Sequence, residues 1–277
     1  MLPRSDQEKM QIQFYKPRNE ILKKYIEGYY FISSSNTSKT LHYLTFPNNF
    51  FIISAMSNAD LCLSDQKIIV KESPKENFVA NYVSRYTSPI EVQCQGRFNE
   101  VTIYFKPLGI NQFIADVEPL FIHKSDTDFN PFPDFSAKML DILKLEDSAH
   151  QQNELEKYWL SKFYRVDLSL LEKVIADVET DLKIDDIAQK YQYSRQYLNK
   201  LFKRSVGKTP IEFRKVHRFR NVIAKRKDVR NLTTLSYENL FYDQSHLIKD
   251  FKRLTKTSPN LFFKKVEVDK EYVWLFV

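Results

Sequence analysis

Gln196, Asn199 and Lys200 stand close together in the stretch YQYSRQYLNKLFKRSVGKTP, Tyr191 to Pro210, with Arg195, Lys203 and Arg204 around them. Gln and Asn can pair bidentately with adenine, and Lys can donate to guanine O6 and N7. Arg and Lys also suit phosphate oxygens, which set affinity and register rather than sequence. The pattern is written again as YDQSHLIKDFKRLTKTSP, Tyr242 to Pro259. At an offset of 49 residues Leu198 falls on Leu247, Phe202-Lys203-Arg204 on Phe251-Lys252-Arg253, and Pro210 on Pro259.

Such side chains need helices to hold them. Ser194 is a natural N-cap, and Leu198, Leu201 and Phe202 follow at helical spacing, so one face packs while the polar residues take the others. Upstream, Leu168–Val178 reads as a helix with Leu171, Val174, Ile175 and Val178 on one face. Ile184–Lys190 is a short helix that packs Ile187 and Ala188, and a turn at Tyr191-Gln192-Tyr193 joins it to the helix after Ser194. Helix, tight turn, helix is the layout that sets a second helix into a major groove. Pro210 then opens a longer helix, Ile211 to about Lys227, with Phe213, Val216, Phe219 and Ile223 inward and Arg214, His217, Arg218 and Lys225 outward. It reads as a spacer between two heads. The second unit is expected to begin at the N-cap Asn231, continue as Leu232–Leu240, turn at Phe241-Tyr242 and end in a helix from Gln244 to about Leu254.

Charge follows the same division. The chain of 277 residues carries a formal net charge of +7, which points to an acidic partner. Residues 1–165 hold 19 basic and 20 acidic side chains, residues 166–277 hold 23 and 15. Between Arg195 and Lys227 twelve basic residues meet a single acid, Glu212.

The front half reads as short strands from Tyr25 to about Phe105. EGYYFIS, LHYLTF, NNFFIISA, ADLCLS, QKIIVKE, NFVANYVS, IEVQCQ and EVTIYFKP are rich in aromatic and β-branched residues and are separated by turn formers. They predict an antiparallel β-barrel of the cupin-like kind, or a sandwich. After Pro107-Leu108-Gly109 the pattern predicts a short helix over Ile110–Val117, a loop over Phe129–Phe135, and helices over Phe135–Leu145 and Gln152–Phe163. The last, with Leu155, Tyr158, Trp159 and Phe163 on one side, packs either on its own barrel or on a second subunit.

Little here supports catalysis. A barrel metalloenzyme needs two or three His and a carboxylate converging on a metal, whereas residues 1–165 contain only the scattered His42, His123 and His150. There is no Walker loop, no dinucleotide glycine pattern and no G-x-S-x-G elbow, and the chain has four glycines, so no phosphate-cradling loop is expected. Cys62 and Cys94 lack zinc spacing and disulfide density and are expected to be buried, reduced thiols. No apolar run is long enough to span a bilayer and MLPRSDQEKM lacks a signal-peptide core, which predicts a cytosolic protein. The apolar end, EVDKEYVWLFV, is expected to dock Tyr272, Val273, Trp274 and Phe276 on the protein surface.

Ile187-Ala188, Ser194 with Leu198, Phe202-Lys203-Arg204, Gly207 with Thr209-Pro210, Arg218, Asp243-Gln244-Ser245, Phe251-Lys252-Arg253 and Ser258-Pro259 form one long pattern. In it residues 166–265 resemble the paired helix-turn-helix DNA-binding domain of the AraC/XylS family of bacterial transcription regulators. The front half is loosely similar to the barrel-like sensing domains of such regulators, FKPLG after the last strand being the best local match. The resemblance implies an α+β chain of two domains, with residues 1–165 a β-rich sensing or dimerising domain with trailing helices and 166–277 an all-α DNA-binding domain. It implies base contacts from Gln196, Asn199 and Lys200 in the first unit and Gln244, Ser245 and Lys249 in the second, with His246 nearby. Arg195, Lys203, Arg204, Lys252 and Arg253 are then placed for phosphates.

The chain departs from the family at Gln192 and Leu240, where the turns usually carry Gly, at Ser236, and at Lys256 before the second Ser-Pro step. A left-handed backbone at Gln192 costs about 1 kcal/mol for a residue with a Cβ, so the turn either differs or carries that strain. Candidate partners are duplex DNA, RNA polymerase, a small-molecule effector or protein at the N-terminal domain, and a second copy of the chain. Neither cofactor, metal nor membrane is expected. The rival is a DNA-binding module fused to a barrel enzyme or to a DNA-repair methyl acceptor using Cys62 or Cys94, neither of which has a basic neighbour in sequence to lower its pKa.

Overall fold

The computed structural model describes residues 13–34, 40–64, 66–122, 125–225, 241 and 243–265. The first part runs β1 (Phe14–Tyr15), α1 (Glu20–Tyr25), β2 (Ile26–Ser34), β3 (Thr40–Thr45), β4 (Phe51–Ser57), β5 (Ala59–Ser64), β6 (Lys67–Glu72), β7 (Phe78–Val83), β8 (Ile90–Gln95) and β9 (Phe98–Phe105). It continues through a 3-10 turn at Ile110–Gln112, α2 (Glu118–Ile122), β10 (Ser125–Asp126), α3 (Phe135–Leu143) and α4 (Ser148–Lys162).

The strands form two sheets, β1-β2-β9-β4-β7-β10 and β3-β8-β6-β5, which do not close into a barrel. The sandwich arm of the expectation therefore holds. Among the described strands the pairing is antiparallel except between β6 and β8. All eight expected strands are present, joined by the two-residue β1 and β10 and by α1, which the apolar pattern did not indicate. Asn19 starts α1 by accepting hydrogen bonds from the amides of Ile21 and Leu22.

Packing makes three layers. Tyr30, Ile52, Val92 and Tyr104 fill the space between the sheets, while Val101, Ile103 and Phe105 point the other way into a core shared with α3 and α4. Strand β9 is thus covered on both faces, which is why it reads as a nearly continuous apolar run. Trp159 of α4 is buried, its ring 4.9 Å from that of Phe105 and 5.5 Å from that of Phe113. The apolar face of α4 packs on its own sheet.

Two expectations need correction. The helix predicted over Ile110–Val117 is a single 3-10 turn, and a helix forms instead at Glu118–Ile122. Pro119 favours a helix start there, and Asp116 Oδ1 accepts from the Glu118 amide at 3.3 Å. Cys94 is buried but Cys62 is exposed, because on the edge strand β5 it shares the solvent side with Asp60 and Ser64.

The second part is helical: α5 (Ser169–Val178), α6 (Ile184–Lys190), α7 (Arg195–Val206), α8 (Pro210–Lys225), α9 (Gln244–Thr255) and α10 (Pro259–Lys265). Leu198, Phe202, Ile187, Val174, Val178 and Phe213 form one cluster. Val216, Phe219, Val222, Leu247, Phe251 and Phe262 form another. Helix α8 contributes its first turn to one and the rest of its length to the other, as a spacer must. The helix expected over Leu232–Leu240 after Asn231, the turn residue Tyr242 and the apolar end of the chain lie outside the described residues.

Candidate nucleic-acid interface

Helix α7 is set by signals at both ends. Ser194 Oγ accepts from the Tyr197 amide at 3.1 Å, and Gly207 closes the helix at φ 74°. Before it, the turn is a Schellman closure of α6. The Tyr193 amide donates to Ala188 O at 2.8 Å, and the Gln192 amide to Gln189 O at 2.9 Å. Gln192 sits at φ 56°, so the strain foreseen for a residue with a Cβ is present and is offset by these two bonds and by Tyr193 packing on Tyr197, ring to ring at 4.8 Å.

The second unit repeats this with different residues. Asp243 Oδ1 accepts from the His246 amide at 2.7 Å, and α9 ends at Lys256, left-handed at φ 59° where the first unit has Gly. Asp250, buried on α9, lies 3.6 Å from Lys215 and 3.4 Å from His246, which ties α9 to α8.

Of the side chains singled out for bases, Gln196, Lys200, Gln244, Ser245 and Lys249 are exposed and Asn199 is half-buried. Lys203, Arg204, Lys252 and Arg253 are exposed as well. Arg195 is committed within its own unit, 3.1 Å from Asp185. Tyr197, half exposed beside these residues, was not singled out by type. Arg214, expected outward, instead donates to Val178 O and Leu182 O, each at 2.7 Å, and so caps the C-terminal end of α5.

What the sequence did not indicate is the neighbour of α7. Helix α2 of the front part lies alongside it, and Gln196, Asn199, Lys200, Lys203 and Arg204 line one wall of a groove of ≈ 490 Å³ whose other wall carries Arg85, Glu118 and Ile122. Glu118 Oε1 meets Arg204 Nε at 2.8 Å. A Cβ on Gly207 would lie 2.7 Å from the Phe121 ring, so only glycine allows this approach.

Around the groove the two parts are bolted together. Thr209 and Glu212 form a capping box at the start of α8, the Thr209 amide donating to Glu212 Oε2 at 2.9 Å and the Glu212 amide to Thr209 Oγ1 at 3.2 Å. The other Glu212 oxygen takes Arg85 at 2.8 Å, and these donors hold the Glu212 carboxyl below its ordinary pKa even though burial opposes them. Lys208 is buried and donates to Ser84 O at 3.3 Å; burial depresses its pKa to about 8. Asn49 donates to Phe213 O at 3.1 Å. Arg220 donates to Pro47 O at 2.8 Å and also to Phe46 O, and the Phe46 ring enters the second helical cluster. Gln112 grips the joining segment, giving to Val166 O at 2.9 Å and accepting from its amide at 3.0 Å.

Among the described residues no group of three or more His, Cys, Asp and Glu is placed to hold a metal ion, and no helix is long and apolar enough to cross a membrane.

Comparison with known proteins agrees with the helical geometry. Residues 171–265 match the family model described as a helix-turn-helix domain. No curated protein matches the chain. Among solved structures the chain is similar to ToxT from Vibrio cholerae, at 14% identity and a TM-score of 0.44 over 85% of this chain and 96% of that one. A ToxT structure bound to (E)-4-(8-methylnaphthalen-1-yl)but-3-enoic acid gives 14%, 0.43, 85% and 97%. One bound to an unsaturated fatty acid gives 14%, 0.42, 84% and 92%. With its two capped helices, its paired clusters and its family match, the segment 171–265 is a helix-turn-helix domain.

Proposed function

We propose that the protein is a sequence-specific transcription regulator that reads two successive major grooves with α7 and α9 and is controlled through its N-terminal domain. The observation that carries the reading is the repeated solvent face: Gln196, Asn199 and Lys200 on one capped helix, Gln244, Ser245 and Lys249 on the other, each followed by a Lys-Arg pair suited to phosphates. These six residues contact base edges in the bound state, and Lys203, Arg204, Lys252 and Arg253 contact phosphates, as does Arg195 once it leaves Asp185. The domain division falls near residues 165 and 166, where Gln112 holds the joining segment. Duplex DNA is the partner, and RNA polymerase and a second copy of the chain are consistent with the role.

Control follows from α2. A major groove about 12 Å wide admits one helix, so α7 cannot enter it while α2 lies along its reading residues. The docked arrangement is the closed form, and reading requires that the front domain swing away. The test is an electrophoretic and fluorescence binding assay on the whole chain with duplexes recovered by selection. Binding should fall steeply with salt, and sequence preference should survive competition by random duplex. Equal affinity for all sequences at every salt concentration would contradict the reading.

Of the two cysteines open to the enzyme rival, Cys94 does not support it. Cys94 is buried, and desolvation together with the nearby Glu100 carboxyl pushes its thiol far above the usual range, the opposite of an activated thiolate.

A further inference from the structure

Between the two sheets lies a cavity of ≈ 60 Å³ with apolar walls, among them Ile52, Val70 and Val92. A polar row crosses the sheet beneath it, and three of its members, Tyr30, Ser54 and Asn81, lie on the lining. Tyr30 on β2 pairs in register with Thr102 on β9, Thr102 with Ser54 on β4, and Ser54 with Asn81 on β7. Four neighbouring strands thus each place a polar residue inside a sandwich that would be more stable with apolar ones.

The row is directed at acceptors. Ser54 Oγ and Thr102 Oγ1 lie 2.7 Å apart, Thr102 Oγ1 donates to Glu100 Oε1 at 2.5 Å, and the Tyr30 hydroxyl reaches the same oxygen at 3.4 Å. Glu100 and Asn81 are both buried, and Asn81 Oδ1 has no hydrogen-bond partner. An unmet buried acceptor destabilises the fold, and a ligand that donates there relieves it. The ionisable groups on the lining are Glu100, Tyr30, Tyr43, Tyr86, Tyr104 and Cys94, none of them basic. Arg220 of α8 donates to the Phe46 and Pro47 carbonyls and is hydrogen-bonded to Tyr86 on the cavity wall.

We infer that this cavity is the effector site and that it takes a small apolar amine, whose ammonium group donates to the Glu100 carboxylate and to Asn81 Oδ1 while its hydrocarbon body fills the space between the sheets. The inference rests on the reading of the protein as a regulator with a sensing front domain. A water occupies about 10–15 Å³ in this measure of cavity volume, so the body and head together come to about five non-hydrogen atoms. An anionic ligand would meet the Glu100 carboxyl and the Asn81 carbonyl oxygen, and no residue on the lining is basic. A route to the helical domain exists in the wall itself: the Tyr86 hydroxyl donates to Phe46 O at 2.6 Å, the same carbonyl that Arg220 of α8 holds.

The experiment uses the whole chain with three probes of matched shape, isobutylamine, isobutanol and isobutyrate, read by thermal shift and titration calorimetry, with DNA affinity measured in parallel. Isobutylamine should raise the melting temperature and bind most tightly. Glu100→Gln should weaken it about tenfold or more while sparing isobutanol, and Asn81→Asp, which adds a second carboxylate, should tighten it. If isobutyrate or isobutanol binds as well as the amine, the ligand class is overturned and the sensing role stands. If none of the three shifts the melting temperature, the cavity is no effector site, and intact sequence-specific DNA binding in the parallel assay leaves the regulator reading untouched. If Glu100→Gln fails to fold, an Asn81→Asp variant that does not tighten amine binding overturns the inference alone.

Discussion

Glu118 and Arg204 meet at 2.8 Å across the line between the sandwich and the first reading helix. One belongs to the five-residue helix α2, the other to the Lys-Arg pair that ends the reading face of α7. The pair is half exposed on both sides, so it contributes only about 0.2–1 kcal/mol. Glu118→Gln should therefore raise affinity for cognate duplex by no more than about fivefold, measured by fluorescence anisotropy at low salt. A fall in affinity would show that Glu118 does not oppose DNA.

Lys208 should make docking pH-dependent. Its pKa falls from 10.5 to about 8 on burial, so the unfolded or undocked state binds more protons between those values. Stability then rises as pH increases from about 8 to 10.5 and is lower below 8, by an amount of about 3 kcal/mol for a shift of this size. Lys208→Met removes the titration and the hydrogen bond from Lys208 to Ser84 O, at a cost of about 1 kcal/mol. Its melting temperature at pH 7 should exceed that of the parent, and the order should reverse above about pH 10.5, where the parent lysine is neutral in both states. A parent protein whose melting temperature does not rise between pH 8 and 10 contradicts the buried, docked lysine.

Gln192 holds a left-handed backbone at φ 56°. Gln192→Gly should stabilise the first unit by about 1 kcal/mol, read by urea denaturation, with DNA affinity unchanged because the side chain is absent from the reading face. Destabilisation would mean that the Gln192 side chain does more than tolerate the turn.

How much of this was legible follows from where each signal resides. Ser194 and the Leu198–Phe202 spacing are local, so the start and the packed face of α7 could be read, and the duplicate at Asp243 to Pro259 identified α9 in the same way. The strands were legible because aromatic and β-branched runs are local too. Glu118 and Arg85 were not legible as part of the site, since nothing near either in sequence refers to α7, and the contact exists only once sandwich and helices are docked. The parallel pairing of β6 with β8, the closing of Arg214 onto α5 and the exposure of Cys62 are tertiary outcomes of the same kind. The polar row of Tyr30, Thr102, Ser54 and Asn81 was hidden because its members are spread over β2, β9, β4 and β7 and become a row only through register.

Lys203 is exposed on α7 one turn beyond the expected base contacts. Lys203→Ala should weaken cognate and random duplexes by the same factor and reduce the slope of log affinity against log salt by about 0.9. A change in sequence preference would move Lys203 from the phosphates to the bases.

The central claim, that one chain reads two separate blocks, is tested most directly by binding-site selection with Lys200→Ala and Lys249→Ala beside the parent. Helix α8, of 16 residues, is about 24 Å long. With the flanking units it matches the roughly 34 Å between successive major grooves on one face of B-DNA. The account predicts that each variant loses preference in a different block, the two about ten base pairs apart, with a loss of about 1–3 kcal/mol of discrimination at the affected positions. If both variants alter the same base positions, or if Lys249→Ala alters none, the two-headed reading is contradicted and α9 is a structural brace.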